Sequence, residues 1–333
     1  FRVCRMIELL FIGHQSVDEF RKHQIRTKRS ELDRKEIIDS LLPGDALIIW
    51  DFSLKVLPNK FVETQSAWYG KSGISYHLSY VIANINGDLK HHSFGHAADD
   101  FKQDSVAVSA IAEHVLRILK EKGINRVFLR SDNAGNYRNA ALMCTLYELS
   151  IEIGIEVMAY IFSEAQSGKG DADREISHSK RKIREYVRSG GNTTSASEII
   201  DALCAPTLLK ASSFFEINVQ VISISKAVFP GISSVGSFRF EAGGIRARRH
   251  DAYGKGSFFD EKKMERNVYS YGIGNYGGTI KSSDEFWGDF GGNERSKSKS
   301  DETEAALTPS VEEDEGKLIY QCSDRLCTSR FMT

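Results

Sequence analysis

The sequence lacks any apolar run of the ~18 residues needed to cross a bilayer, so no transmembrane span is expected. It also lacks net charge: 44 Lys and Arg stand against 45 Asp and Glu, leaving −1. A wholesale basic character is thereby excluded, and any contact with nucleic acid must come from local basic patches. The five cysteines, Cys4, Cys144, Cys204, Cys322 and Cys327, are scattered. That argues against a disulfide framework and favours a reducing compartment. "MIELLFIG" near the start is too short for a secretory signal and runs into charged residues. There is no internal repeat. A chain that opens on Phe1 and stops at "CTSRFMT" reads as a piece of a longer protein.

What is present suits a globular chain: 333 residues, 41% hydrophobic and 27% charged, enough for about two domains or one large domain with additions. The periodicities predict a charged helical segment over 1–44, punctuated by Pro43 and Gly44. "DALIIWDF" follows as an apolar strand, and two strands flank Asn86-Gly87, a hairpin signal. "DSVAVSAIAEHVLRILKEKG" has helical spacing, an acidic start and a glycine stop. "INRVFLRSD", "AALMCTLYELSIEIG", "IEVMAYIFSEAQ" and "GKGDADREISHSKRKIREYVRSGG" then read as strand, helix, strand and basic helix. The order predicts a mixed α/β sheet with helices crossing between roughly parallel strands over 45–190. Residues 191–292 predict a weakly defined α+β extension: a capped helix, one strand, then a stretch rich in glycine and aromatics without a clear period. Residues 293–317 are charged and nearly free of aromatics, and read as a disordered linker before a short terminal segment, 318–333.

Three acids share one context, a strand and then a carboxylate at or beyond its end: Asp51 after "ALIIW", Asp132 after "RVFLRS", and Asp173 in "GKGDADR". Carboxylates converging at the ends of adjacent strands repel one another, and divalent Mg²⁺ or Mn²⁺ would relieve that repulsion. Two such ions would also activate a water and stabilise the leaving oxygen of a phosphodiester. The plainer account is that strand-end aspartates make turns, and "SDNAGN" is good turn chemistry, with Asn133, Asn136 and Asn139 suited to shaping the loop and capping the next helix.

The layout resembles the RNase H-like fold of transposases and integrases. More closely, "PGDALIIWDF", "ETQSAWYGKSGISYH", "SDNAGNYRNAA" and "FSEAQSGKGDADR…K" resemble a family of transposon-derived eukaryotic proteins over roughly residues 35–190. The resemblance implies that Asp51, Asp132 and Asp173 are the metal-binding, catalytic acids of DNA cleavage or strand transfer. Gly168, Lys169 and Gly170 match the loop before the third acid. Asp171 stands where the family has proline, and "SEAQS" where it has a histidine, so Asp171 and Glu164 are alternates for the third acid. The same resemblance implies a nuclear protein whose partner is DNA and whose copies assemble into a homo-oligomer. It also allows a non-catalytic, domesticated DNA-binding descendant.

Lys169 and the helix residues Lys180, Arg181, Lys182, Arg184 and Arg188 are the candidate phosphate contacts. "SGKG" is not a phosphate loop, because the glycine five residues earlier and the following Ser or Thr are both missing. His77, His91, His92 and His96 read as packing or surface histidines. Trp68 and Tyr69 are expected in the core, with stacking on an unpaired base as the other reading. Near the end, "YQCSDRLCTSRF" resembles the first half of a two-Cys/two-His zinc finger, which implies Zn²⁺ on Cys322 and Cys327 in a complete finger.

Overall fold

A computed structural model describes residues 2–53, 55–99, 102–163, 170–205, 209–249, 254–279, 286–291, 311–314 and 317–320. Its helices are α1 (Arg2–Ser40), α2 (Gln65–Trp68), α3 (Ser105–Glu121), α4 (Ala140–Ile153), α5 (Asp171–Arg188) and α6 (Ala196–Cys204). The strands are β1 (Asp45–Phe52), β2 (Ser75–Ile85), β3 (Asp88–Ala98), β4 (Arg126–Ser131), β5 (Glu156–Phe162), β6 (Ser212–Ser223), β7 (Ser237–Glu241), β8 (Gly244–Arg248), β9 (Ser257–Asp260), β10 (Val268–Gly278), β11 (Gly288–Asp289), β12 (Val311–Asp314) and β13 (Lys317–Tyr320).

The chain is mixed α/β, as the strand–helix alternation predicts. An 11-stranded sheet runs β10-β6-β3-β2-β1-β4-β5-β7-β8-β9, with β11 off this path. Its centre, β3-β2-β1-β4-β5, is the expected hairpin followed by parallel strands. β1 is antiparallel to β2 and parallel to β4, and β4 is parallel to β5. Asn86 and Gly87 close the β2–β3 hairpin with φ of 55° and 101°, the left-handed pair such a two-residue turn requires. Residues 191–292 do not stand apart: β6 and β10 extend the same sheet at one side, and β7, β8 and β9 at the other.

Alternation along β1 divides the two faces. Ala46, Ile48 and Trp50 join Val81, Val127 and Leu129 in one buried core. That core lies under α3 (Ile111, Val115, Leu119) and α4 (Leu142, Leu146). The opposite face carries Tyr76, whose hydroxyl donates to Ser179 Oγ of α5 at 3.1 Å. It also carries Arg130, which donates to Ser30 of α1 at 2.6 and 3.0 Å. The helix starts match the cap residues. Asp104 accepts from the N–H groups of Val106 and Ala107, and Asn139 from that of Ala141. Gly154 ends α4 at φ 69°, left-handed.

The hairpin histidines are packing groups. His77 faces His96 across β2 and β3, and His96 Nε2 lies 3.0 Å from His114 Nδ1. Burial drives all three down, His77 to about 3 and His114 to about 4, so they sit neutral in the core. His92 stacks on Phe286 with ring centres 3.8 Å apart. Tyr69, expected in the core, is instead 73% exposed on the loop between β1 and β2. The side chain of Trp68 lies outside the described residues.

Residues 289–333 form a second compact unit, in which β12 and β13 pair antiparallel with Val311 opposite Tyr320. β12 falls inside the stretch read as linker. Cys322 and Cys327 lie outside the described residues.

The sheet leaves little room at Gly95 on β3. A Cβ there would stand 2.4 Å from the Tyr76 hydroxyl and 2.7 Å from the Phe214 ring. Gly95→Ala is expected to destabilise the domain by about 1–3 kcal/mol, the usual range for overpacking a well-filled core. Urea unfolding measures it.

Candidate metal and phosphodiester site

The register places two of the expected acids side by side. Trp50 of β1 pairs with Ser131 of β4 in parallel, so Asp51 and Asp132 each stand one residue further on, at the same level of neighbouring strands. Parallel neighbours lie roughly 4.8 Å apart. Between Asp51, Phe52, Gln103, Asp132 and the 134–137 turn opens a cleft of about 410 Å³.

The third acid arrives from above. α5 packs over β1 and β2 and starts at Asp171, so its first turn delivers Asp173 towards Asp51. The Asp51 carboxyl is pushed up to about 7, first by burial, then by the charges of Asp173 and Asp132. Lys180 and the Phe52 N–H offset this only in part. Among the described residues Asp51 has no ion-pair partner.

The other end of the same strand provides a contrast. Asp45 accepts from Arg126 at 2.7 and 2.6 Å and from the Leu42 N–H at 3.0 Å. A larger hollow of about 680 Å³ lies there, but its acid is already neutralised. β1 therefore carries a satisfied carboxylate at its start and an uncompensated one at its end.

The alternates separate on their partners. Asp171 is held by Arg34 of α1 at 3.0 Å and by Arg174, and so ties α5 to α1. Among the described residues the Asp173 carboxylate accepts only a long bond from the Gly170 N–H, 3.3 Å. Glu164 and Lys169 lie outside the described residues. Asp132 also does the turn work anticipated for it, accepting from the Ala134 N–H at 3.0 Å.

The basic residues of α5 divide as well. Asp173, Ser177, Lys180, Arg184 and Arg188 follow one helical stripe at spacings of three and four. Arg181 leans on Glu185 at 3.9 Å, both exposed. Lys182 turns inward, donating to Leu203 O of α6 at 2.6 Å, and is a brace between helices rather than an open phosphate contact.

The donor chemistry fits a hard divalent cation: three carboxylate side chains, one of them raised by burial and by the other two. Among the described residues, however, no three His, Cys, Asp or Glu side chains are drawn together as a ligand set. Asp132 and Asp173 are each turned to a backbone N–H.

Fold and site together define a mixed α/β protein with two aspartates, Asp51 and Asp132, at the carboxyl ends of adjacent parallel strands. The chain belongs to the family described as Domain of unknown function (DUF8701), which matches residues 34–228. That segment holds all three acids. No curated protein matches the chain. A solved structure described as "Crystal structure of NurA bound to dAMP and manganese" aligns at 12% identity and a TM-score of 0.14, over 77% of this chain and 57% of that one. A likeness that slight carries no argument.

Because the folded state holds Asp51 protonated well above the usual carboxylate value, folding takes up a proton between 3.8 and about 7. Metal-free protein is expected to lose stability as pH rises through that window, and Asp51→Asn to remove this part of the dependence. Urea unfolding of both proteins at several pH values measures the difference.

Proposed function

We propose that this chain is a metal-dependent phosphodiester-cleaving or strand-transferring protein acting on DNA, of the transposase kind. The observation that supports it most is the placement of Asp51 and Asp132 at one level of β1 and β4, beneath Asp173, with Asp51 raised first by burial and then by the other two. Asp51 and Asp132 would hold two divalent ions between them, and Asp173 would complete the coordination. When bound, such ions supply an activated water and charge stabilisation for the leaving oxygen. The chain's own residues do the rest. The 134–137 turn walls one side of the cleft, Lys180 stands on the stripe leading from Asp173, and Arg184 and Arg188 continue it as a grip for phosphates. The nucleus follows as the compartment in which DNA would be met.

A second reading, a domesticated DNA-binding scaffold without catalysis, is favoured by the separation of the carboxylates as they stand. Calorimetry with Mn²⁺ separates the two. Wild type is expected to bind Mn²⁺ and to nick a labelled duplex. Asp132→Asn is expected to weaken metal binding at least about tenfold, since even residues behind direct ligands are worth that much, and to abolish nicking. A folded wild-type protein that binds no Mn²⁺ leaves only the scaffold.

A further inference from the structure

The loop from 53 to 74, which leaves β1 directly after Asp51, is pinned at several points. Val56 and Ile74 exchange backbone bonds at 2.9 and 2.8 Å. Lys71 donates to Pro58 O and pairs with Glu63, both at 2.6 Å, in a largely buried bridge. Asn59 and Thr193 exchange backbone bonds at 3.1 and 2.8 Å, and the Phe61 N–H reaches Asn192 Oδ1 at 3.1 Å. The last two ties fasten the loop to the segment just beyond α5. There Gly191 lies so close under the Tyr186 ring that a Cβ would come within 2.2 Å of it.

On this fixed base four apolar side chains face solvent: Leu57, Phe61, Val62 and Tyr69, 49, 58, 79 and 73% exposed. Scattered exposed hydrophobics are ordinary, but these four described side chains are all carried by one pinned loop. Within the loop itself positive charge predominates, with Lys60 also acting on Glu198 of α6. Glu63 is the only acid between Phe52 and Ile85, and Lys71 neutralises it, while Lys55 and Lys60 stay exposed. The α5 stripe of Lys180, Arg184 and Arg188 runs towards the segment that holds this loop.

We propose that this loop is a stacking platform for unpaired bases, so that the chain engages single-stranded nucleic acid at the end of the α5 stripe away from Asp173. The positive surroundings select a polyanion. Phe61 and Tyr69 select one whose base faces are free, which a duplex hides. The platform deepens the phosphodiester reading and rests on it only for the role of the bound strand; binding itself requires no metal.

The test uses fluorescence anisotropy in EDTA, with labelled oligothymidylate and with a duplex of mixed sequence. Wild type is expected to bind the single strand more tightly than the duplex. Phe61→Ala and Tyr69→Ala are each expected to weaken single-strand binding about tenfold, the order set by losing one stacked base, and Tyr69→Phe to retain it. Mn²⁺ binding should be unchanged in all three variants. Equal affinity for single strand and duplex, wild-type binding by both alanine variants, or no binding to either nucleic acid would each overturn the platform. If Mn²⁺-dependent nicking persists while the platform fails, the carboxylate site stands without it. If single-strand binding holds while Mn²⁺ does not bind, the platform stands and the enzyme reading falls.

Discussion

The parallel pairing of β1 with β4 sets the chemistry of this molecule. Aligning Trp50 with Ser131 buries one pair of side chains in the core, and on the opposite face brings Asp51 beside Asp132. Neither acid could be moved by one residue without turning the whole apolar set of its strand to the wrong side, because side chains alternate with a period of two. The carboxylate pair is thus locked in by the same register that makes the core. α5 adds Asp173, and among the described residues Lys180 offsets the sum only in part. Asp45, at the other end of β1, is bound by Arg126 and shows what a structural acid looks like in the same strand.

Much of this was legible in the sequence because short-range signals agreed with the long-range outcome. Asn86-Gly87, Asp104, Asn139 and Gly154 are turn, cap and stop residues that act locally, and each does so. That Asp51 and Asp132 would stand at neighbouring strand ends was legible because a strand end is a local feature, and parallel pairing brings such ends together. The tie of Asp171 to α1 was not, since it depends on Arg34, 137 residues away.

The remainder escaped for physical reasons. β7, β8 and β9 are only four or five residues long, too short for a period to show. β10, "VYSYGIGNYGG", is an edge strand paired only with β6, so positions 268–276 alternate between exposed and half-buried instead of forming an apolar run. Tyr69 reads as core because aromatics usually are. Only the ties from Lys71 and Asn192 reveal that its loop is held out from the sheet. Likewise Lys182 looks like one more cation of a basic helix until Leu203 O is seen beneath it.

The central claim is that Asp51 carries charge strain that a divalent ion relieves, and it can be read on that one side chain. Carbon-13 NMR of aspartate carboxyls, with Asp51 assigned by its absence in Asp51→Asn, follows the titration directly. The account predicts a midpoint near 7 in metal-free protein, moving down on addition of Mg²⁺. An ordinary carboxylate midpoint, indifferent to Mg²⁺, would contradict it.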